Sequence, residues 1–593
     1  MPEFFTLQEL LLPGLEFPCS DKLYVRIKTA ASARRQYRSL TLFPARGRVS
    51  FDSFFNALSV GTLKRATIIE DLFLLLEGRG DFILRVGIHR NGQAHRWVQE
   101  YGISLPSPPL ALPWAELEDG LLHIELESLG GGEISGGRYL TRTAPLAPVR
   151  LGIVITHFNR QFYVVPAIAR IGAALANRPD LAGKIELVVV DNSRNLTRQE
   201  AGAATVLPNP NYGGSGGFAR GLIYLKDHGF THCLFMDDDA SCEIDSIFRA
   251  HSLLAYARDP ALAISGALLR ELEPYRLFEK GAAYANGRTR PLNHNRDMRE
   301  TQQLLEAETR RERADYGAWW FFGFRIDQAK AFPFPFFVRG DDILFSLNNG
   351  FHVETINGVA CWGEDFQLKE NPGTRYQGLR AMLTIALQTG SPGRLQMFRI
   401  MLGWVLSSLF SYNYASAEAI ILAIRDVGKG PAFWRENLDN SAPRAELAPL
   451  NAREKLEKID LADFSLAYRG DTEPGARRWL RLLSLNGMLL PGFLLRDQTV
   501  FEHKSFRASY RRIFRFRHVL YYYEAMGLGY VAHYDRRLFF RALCGFMKIS
   551  ARFLVTLPRL REAYQRALPE MTSEAFWRRL YAETAQPRKM DCE

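Results

Sequence analysis

The sequence is poor in cysteine and lacks the segments that mark secreted chains. Its 593 residues include six cysteines, and none lies at the close spacing of a zinc site. The first residues, MPEFFTLQELLLPG, lack the basic start and apolar stretch of a secretory signal peptide. These absences favour a reducing, cytoplasmic environment.

Long hydrophobic runs are also scarce. The longest uncharged stretch, residues 400–417 (IMLGWVLSSLFSYNYASA), contains Ser, Asn and Tyr and is followed at once by Glu418. It is predicted to be a buried core helix rather than a transmembrane helix. Internal repeats and low-complexity tracts are absent too.

What the chain does have is an excess of positive charge and enough apolar residues for several cores. With 593 residues, of which 47% are hydrophobic, two to four domains are expected. The net charge of +11 suits an anionic partner, which could be nucleic acid, a phosphorylated substrate or an acidic membrane surface. Charge alone leaves these alternatives open.

Three regions follow from the patterns along the chain. Residues 1–148 contain short alternating segments separated by Gly, Pro and Asn, which predicts a β-sandwich or jelly-roll-like domain. Residues 149–388 alternate apolar strands with helical stripes, which predicts an α/β domain with a parallel sheet covered on both faces. Long helical patterns predict a C-terminal helical domain over residues 389–593.

Polar residues collect after the strands of the central region, where open α/β sheets bind ligands. In CLFMDDDA, strand alternation would turn Asp237 and Asp239 to one side and Asp238 to the other. Two such carboxylates can hold Mg²⁺ or Mn²⁺ together with substrate phosphates. The alternative is a solvated acidic turn.

A glycine-rich segment, residues 211–220 (NYGGSGGFAR), precedes a predicted helix. Its backbone N–H groups could approach an anionic ligand closely. Gly214, Gly216 and Ala219 also fit a dinucleotide fingerprint, with Asp237 in the ribose-binding position. Two observations argue against an oxidoreductase. Two prolines interrupt the strand before the glycines, and a dinucleotide-binding site has no role for Asp239. A turn with packing duties alone is the third interpretation.

A second acidic pair, Asp341 and Asp342, stands at a predicted helix start, where the helix dipole favours the ionised form. An ionised carboxylate in a cleft can act as a general base, and simple helix capping is the alternative. Just upstream, Trp319 and Trp320 could form a platform for a sugar, although a core position is expected for one of them. Together these features indicate an inverting glycosyltransferase of the nucleotide-sugar-binding α/β type.

The chain also resembles a known family, the polymerising UDP-galactofuranosyltransferases of family GT2, which build mycobacterial cell-wall galactan. The resemblance covers nearly the whole chain and rests on motifs in a fixed order. These are SARRQYRSL, VSFDSFFNAL, THFNR, NYGGSGGFARG, LFMDDDA, YGAWWFF, FPFFVRGDD and REAYQRALPEMTSEAFWRRL.

The resemblance implies a central GT-A fold, a Rossmann-like nucleotide-diphospho-sugar transferase domain, with UDP-galactofuranose as donor. It also implies a lipid-linked glycan acceptor at a membrane and a hint of self-association. Asp342 would be the base with Asp341 beside it, and Asp239, with Asp237, would bind Mn²⁺ or Mg²⁺. The residues implied for the nucleotide sugar are Phe158, Arg160, Asn192, Asn211, Asp237, Trp319 and Trp320.

Two positions depart from the family pattern. Where the family has a metal-binding histidine after Trp362, this chain has Gly363, so Glu364 or Asp365 is the candidate replacement ligand. Where the family has a histidine near the acceptor, residues 376–380 read YQGLR. A weakly bound metal, a different sugar or a loss of catalysis are the alternatives.

The C-terminal region interleaves arginines with aromatic residues, which predicts a basic face on anionic lipid. A helical domain with solvated arginines and a single-stranded nucleic-acid surface are the alternatives, and no nucleic-acid module supports the latter. The residues are Arg511, Arg512, Arg515 and Arg517 with Phe514 and Phe516, then Arg536, Arg537 and Arg541 with Phe539 and Phe540.

The sequence therefore predicts a metal-dependent galactofuranosyltransferase for cell-surface polysaccharide, peripheral on the inner face of the cell membrane, without nucleic acid as a partner. The alternatives are a GT2 enzyme that uses another nucleotide sugar and a non-catalytic carbohydrate-binding scaffold.

Overall fold

The computed structural model describes residues 3–15, 19–34, 37–309, 312–390, 392–470, 472–505 and 510–585. Arg35 and Gln36, in the motif SARRQYRSL, lie outside the described residues. Short 3₁₀ helices connect several elements, at Asp21–Leu23, Trp114–Glu116, Pro179–Leu181, Ile326–Gln328, Leu461–Asp463, Gly492–Leu494 and Glu524–Met526.

The N-terminal region is built around two long antiparallel strands, β7 and β10, which pair along most of their length. Ten strands form one sheet here, and all their pairings are antiparallel. The β-rich character matches the alternating sequence pattern, whereas the sandwich or jelly-roll topology stays a prediction. The elements are β1 (Phe5–Glu9), β2 (Arg26–Thr29), β3 (Ala31–Arg34), β4 (Ser39–Leu42), β5 (Arg48–Ser50), β6 (Leu58–Ser59), α1 (Val60–Ala66), β7 (Phe73–His89), β8 (Arg96–Leu105), β9 (Leu110–Ala111) and β10 (Leu121–Thr141).

The central region is α/β, with a seven-stranded sheet in the order β13-β12-β11-β14-β21-β16-β22. The first part of its chain alternates strands and helices: β11 (Leu151–His157), α2 (Gln161–Ala176), β12 (Ile185–Asp191), α3 (Arg198–Ala201), β13 (Thr205–Pro208), α4 (Gly213–Asp227), β14 (His232–Asp237), β15 (Ser241–Cys242), α5 (Asp245–Ala255) and β16 (Leu262–Ser265). The second part holds β17 (Ala267–Arg270), β18 (Leu277–Glu279), β19 (Ala282–Ala285), β20 (Arg288–Pro291), α6 (Thr301–Thr309), β21 (Phe322–Arg325), α7 (Asp341–Asn349), β22 (His352–Glu354), β23 (Ala360–Gly363), α8 (Phe366–Lys369) and α9 (Pro372–Gln388).

The predicted all-parallel sheet is wrong at one strand. β21 pairs antiparallel with β14 and with β16, while the pairs among β11, β12, β13 and β14 are parallel. Residues Phe322–Phe324 are buried. A short, fully buried apolar strand has the same composition in either direction, so the sequence pattern could not reveal its orientation.

The two faces of the central sheet belong to two different cores. Ile153 and Ile155 pack in a core shared with the N-terminal region, whereas Val154 between them packs in a core shared with the C-terminal region. This follows from the alternation of side chains along a strand. The central sheet is therefore buried on both faces by its neighbours in the chain.

The sequence predicts a helical C-terminal domain, but the structure of this region is not purely helical. It contains a five-stranded sheet in the order β24-β28-β27-β26-β25. The elements are α10 (Arg394–Leu409), α11 (Tyr414–Val427), α12 (Ala432–Glu436), α13 (Ser441–Arg453), β24 (Glu457–Lys458), β25 (Leu466–Ala467), α14 (Gly475–Leu483), β26 (Arg496–His503), α15 (Tyr510–Ile513), β27 (Phe516–Tyr523), β28 (Leu528–His533), α16 (Arg536–Met571) and α17 (Glu574–Ala585).

The error concerns the segment SFRASYRRIFRFRHVLYYYEAMG, whose pattern we interpreted as helical. In the described part of this segment, the structure has the short helix α15 and the 3₁₀ helix Glu524–Met526, and it places residues 516–523 in β27, between β26 and β28. Aromatic and β-branched residues such as those of HVLYYY fit a pleated sheet well, and that preference prevails here. Part of the segment, residues 506–509, lies outside the described residues.

The predicted membrane face is wrong for three of its four phenylalanines. Phe514, Phe516 and Phe539 are fully buried, so they belong to the core and cannot contact lipid. Among the described residues, no helix combines the length and apolar character needed to span a bilayer.

Candidate active site

Three neighbouring parallel strands end at the same edge of the central sheet and bring polar residues together there. In register, His157 at the end of β11 lies beside Asp191 of β12, and Thr156 lies beside Asp237 of β14. Phe158 and Arg160 follow β11, and Asn192 follows β12. The structure thus gathers the residues that the sequence nominated after these strands.

The glycine-rich segment opens α4 and packs tightly against its surroundings. A Cβ on Gly217 would lie 2.5 Å from Thr156 Cγ2, and one on Gly213, whose φ is +67°, would lie 2.0 Å from the Phe337 carbonyl oxygen. The side chains of Asn211 and Asn192 hold this turn, because Asn211 Oδ1 accepts from the Gly213 N–H at 3.1 Å and Asn192 Nδ2 donates to the Gly213 carbonyl at 3.2 Å. The two asparagines therefore shape the loop.

Asp237, Asp238 and Asp239 do not share one strand, as the alternation argument assumed. β14 ends at Asp237, and the next two residues form a turn. Arg160 Nη1 contacts both Asp238 Oδ1 at 3.2 Å and Asp239 Oδ2 at 2.7 Å. Two residues of the acidic triplet therefore form ion pairs with Arg160, in the loop after β11.

The environments of Asp237 and Asp239 differ. Burial, reinforced by the charges of Asp239 and Asp238, raises the pKa of Asp237 well above its usual range. Burial also disfavours the charged form of Asp239, but Lys369 and Arg160 outweigh it and lower the pKa of that carboxyl. Asp239 is therefore the ionised member that can hold a cation.

Lys369 was not nominated by the sequence, yet it identifies a cation position. Its Nζ lies 2.8 Å from Asp239 Oδ2 and 3.3 Å from Glu364 Oε2. The two carboxylates thus converge on one point. Asp365 is used differently, because its Oδ1 caps α8 by accepting from the Gln367 N–H at 3.1 Å. Of the two candidate replacement ligands, Glu364 is the one that faces Asp239.

A cavity of about 640 Å³ lies beside this edge of the sheet. Its volume suits a small-molecule ligand. It brings together five residues that the sequence nominated: Asp237, Trp319, Trp320, Asp341 and Asp342. Phe158, Arg160, Asn192, Asn211 and Asp239 lie at the strand ends described above rather than in the cavity wall.

Asp341 and Asp342 begin α7, as predicted, and backbone N–H groups at the helix start favour their ionised forms, but burial acts in the opposite direction. Burial raises the pKa of Asp341 to about 6, against the effect of the Ser215 hydroxyl, which donates to its Oδ2 at 3.0 Å. Burial and the neighbouring Asp341 raise the pKa of Asp342 to about 7. A carboxylate with a pKa near neutrality is well suited to proton transfer.

The loop before α7 has an unusual backbone. Phe337 and Arg339 both have positive φ, at 73° and 65°, and Gly340 follows at 86°. Non-glycine residues in this region cost free energy and concentrate at functional sites. This loop carries Arg339 into the cavity wall beside Asp342.

The two tryptophans differ in role. The Trp319 ring packs edge-on against Phe218, Phe235 and Phe345, so it belongs largely to the core. Trp320 donates from Nε1 to the Gly266 carbonyl at 3.0 Å, which fixes its ring at the cavity wall. Both line the cavity, and Trp320 is the better candidate for a sugar platform.

The sequence also missed Glu279 and Trp404, which line the same cavity. Burial and the charge of Asp342 raise the pKa of Glu279 well above its usual range. Trp404 lies against the glycine of the YQGLR segment, since a Cβ on Gly378 would be 2.8 Å from its Cη2. The Trp404 indole therefore stands where a side chain at position 378 would extend. No local pattern in the sequence pointed to these residues.

Comparison with known proteins gives sequence relatives over most of the chain. Galactofuranosyltransferase GlfT2 of Mycolicibacterium smegmatis is 25% identical over 485 residues, which cover 74% of this chain and 73% of that protein. GlfT2 of Mycobacterium tuberculosis is 26% identical over 492 residues, with 74% of each chain covered. None of the protein-family models that were searched matches the chain.

Similar solved structures match only part of the chain. Mannosyl-3-phosphoglycerate synthase from Rubrobacter xylanophilus is 14% identical with a TM-score of 0.27, covering 42% of this chain and 79% of that one. Glucosyl-3-phosphoglycerate synthase from Mycobacterium tuberculosis, in complex with Mn²⁺, UDP and phosphoglyceric acid, is 16% identical with a TM-score of 0.28, covering 41% and 80%. By its sequence relationships, the chain is a glycosyltransferase related to the GlfT2 galactofuranosyltransferases.

Proposed function

We propose that the chain transfers galactofuranose from UDP-galactofuranose to a hydroxyl group of a lipid-linked glycan, with inversion at the anomeric carbon, on a GT-A fold. The acceptor oxygen forms a bond to the anomeric carbon, the bond from that carbon to the UDP oxygen breaks, and the acceptor proton passes to Asp342. The sugar follows from the relationship to GlfT2, and the chemistry from the residues of the cavity.

The observation that carries the proposal is the position of Asp342. It lines the same cavity as Asp237 and Trp320, and its pKa of about 7 makes it a competent proton acceptor near neutral pH. Asp237 would bind the ribose of the donor, and Trp320 would lie against the transferred sugar. Asp341, fixed by Ser215, would position its neighbour.

The diphosphate of the donor would lie at the strand ends, between the cavity and Arg160. Arg160 and Arg339 provide positive charge on either side. Phe158, which is partly exposed beside Arg160, would lie against the uracil ring. Asn192 and Asn211 would act by holding the loop at the start of α4, as their hydrogen bonds to Gly213 indicate.

A divalent cation fits the carboxylates of this site. Asp239 and Glu364 already share the ammonium of Lys369, so their oxygens are arranged around one position, and Mn²⁺ or Mg²⁺ prefers oxygen donors. Asp239 and Glu364 would hold the ion, with Glu364 in place of the histidine that the family resemblance implies. The charge of the ion would lower the raised pKa of Asp237, so that this carboxyl would join as a further ligand. When bound, the ion would neutralise the charge that develops on the departing UDP.

The test is UDP release from UDP-galactofuranose with a short galactofuranosyl-lipid acceptor, in Mn²⁺, Mg²⁺ or EDTA. We expect turnover that EDTA suppresses and that both Asp239→Ala and Asp342→Asn abolish. Asp463→Asn, an exposed aspartate on the C-terminal region, is the matched control and should behave as wild type.

The same assay distinguishes the alternatives. Turnover with another UDP-sugar but not with UDP-galactofuranose would indicate a different donor. UDP binding that Asp239→Ala weakens, without turnover of any donor, would indicate a carbohydrate-binding scaffold.

A membrane surface suits the lipid-linked acceptor, although different residues supply it from those predicted. Trp479 and Leu483 on α14 are 65% and 75% exposed, and Phe493 in the 3₁₀ helix Gly492–Leu494 is 83% exposed. Burial and the neighbouring Arg477 lower the pKa of Arg469 to about 10, which reflects a dense group of arginines beside them. Exposed apolar residues next to positive charge are suited to anionic lipid.

Vesicle binding tests this surface. A Trp479→Ser, Leu483→Ser, Phe493→Ser variant should bind phosphatidylglycerol vesicles about tenfold more weakly than wild type, with UDP binding unchanged. Leu146→Ser with Val555→Ser, two exposed apolar residues elsewhere, is the control. Equal vesicle binding by wild type, the triple variant and the control would contradict the proposal that these three residues contact lipid. The location at the inner face of the cell membrane and self-association into an oligomer stay predictions.

A further inference from the structure

Three histidines meet in the N-terminal sheet, far along the chain from the active-site motifs. His89 ends β7, His95 precedes β8 and His123 lies in β10. One ligand nitrogen from each lies within 4.8 Å of the others. Among the described residues, this is the one group of three His, Cys, Asp or Glu side chains arranged so closely.

A glycine leaves the space between the rings open. Gly87 pairs with His123 across the sheet, and a Cβ on Gly87 would lie 2.7 Å from Nε2 of His123 and 2.7 Å from Nε2 of His95. Both distances are too short for a real Cβ, so any larger residue would displace the rings. Two imidazole nitrogens therefore converge on one point beside Gly87.

The third histidine is oriented by a carboxylate. His89 Nε2 lies 3.2 Å from Asp52 Oδ2, and the hydroxyl of Thr301 donates to the same oxygen at 2.9 Å. With its proton on Nε2, His89 keeps the lone pair of Nδ1 free for a metal ion. A carboxylate that fixes a histidine in this way is a regular feature of metal sites in proteins.

His123 supplies an independent indication of a ligand. The residue is 2% exposed, and its Nδ1 is buried without a hydrogen-bond partner. Buried polar atoms are normally satisfied, so a histidine placed only for packing would be costly here. Coordination through Nε2, the nitrogen that approaches Gly87, gives a reason for burying this ring even though its Nδ1 has no hydrogen-bond partner.

We propose that His89, His95 and His123 bind one transition-metal ion, with Zn²⁺ as the best fit and water in the fourth position. Imidazole ligands favour Zn²⁺ over Mg²⁺ and Mn²⁺, so this site selects a different ion from the carboxylates of the active site. The ion joins the ends of β7 and β10 to the segment before β8. Through Asp52 and Thr301 it also links the N-terminal sheet to α6 of the central region.

Zinc binding by the full-length, tag-free chain tests the proposal. After treatment with a chelator, the protein is titrated with Zn²⁺ in competition with a chromophoric chelator. We expect one site per chain, and Co²⁺ in its place should give the visible absorption of a four-coordinate ion. X-ray absorption at the zinc edge should show nitrogen ligands at about 2.0 Å.

Variants separate this site from other histidines and from the active site. His95 is exposed, so His95→Ala should fold normally and lose the site, whereas His503→Ala, an exposed histidine in β26, should bind Zn²⁺ as wild type does. Asp52→Asn should weaken binding about 10- to 100-fold. Gly87→Ala retains all three histidines but fills the space between them, and it should also lose binding. Zinc affinity unchanged in His95→Ala, or equal loss in His503→Ala, would overturn the proposal.

Discussion

Asp239 and Asp342 lie close to the same cavity, and their surroundings give them opposite properties. Asp239 contacts Arg160 and Lys369, and these cations lower its pKa in spite of burial. Asp342 is raised to a pKa of about 7 by burial and by Asp341. Pairs of carboxylates whose pKa values are driven apart commonly divide the chemical roles between them. We therefore assign cation binding to Asp239 and proton acceptance to Asp342.

The largest effect should come from the proton acceptor. Asp342→Asn keeps the shape of the side chain but cannot take a proton, so kcat should fall about 10²- to 10⁴-fold. UDP affinity, measured by calorimetry, should stay near wild type because the strand-end residues are unchanged. If Asp342→Asn loses UDP binding together with turnover, the separate roles assigned to Asp239 and Asp342 are wrong.

The dependence of kcat/KM on pH should report the titration of Asp342. Below pH 7 Asp342 is mostly protonated and cannot accept the acceptor's proton, so kcat/KM should rise with pH and be about tenfold higher at pH 8 than at pH 6. The measurement is UDP release across this range at saturating Mn²⁺. A flat profile, with chemistry shown to be rate-limiting, would assign the base elsewhere.

Removing Lys369 tests the cation-binding role of Asp239. Lys369→Met deletes the ammonium shared by Asp239 and Glu364, so a divalent ion no longer competes with it. We expect the Mn²⁺ concentration for half-maximal activity to fall several-fold, and the melting temperature without metal to decrease. Lys330→Met, a lysine near a separate cavity, is the control. A rise in the required Mn²⁺ would mean that Lys369 helps to bind the donor instead.

The smallest effect should follow from placing at position 363 the histidine that the family resemblance implies. A Cβ on Gly363 would meet only Leu268 Cδ1, at 3.1 Å, so Gly363→His should be accommodated with a slight shift. We expect the Mn²⁺ concentration for half-maximal activity to fall a few-fold, because the imidazole can join Asp239 as a ligand. If Glu364→Ala weakens metal activation in wild type but not in Gly363→His, then Glu364 replaces the missing histidine.

Much of the site could be predicted because its residues follow local patterns. Apolar strands that end in polar residues gave the sheet edge and Asp237, and an acidic pair at a helix start gave Asp342, whereas Arg160 and Asn192 came from the family resemblance. The C-terminal sheet was missed because the pattern of this region was interpreted as helical, whereas strand pairing between β26, β27 and β28 decided the structure. Local preference is a weak guide where tertiary contacts compete with it.

The sequence by itself determined the order of the elements, the α/β character of the central region and the acidic residues of the cavity, because each depends on residues near one another in the chain. Tertiary structure alone decided which carboxylate is ionised, since Lys369 reaches Asp239 from 130 positions away. It alone also united His89, His95 and His123 beside Gly87, through strand pairing. Charge, burial and metal coordination depend on distances in space, and those are set only when the chain has folded.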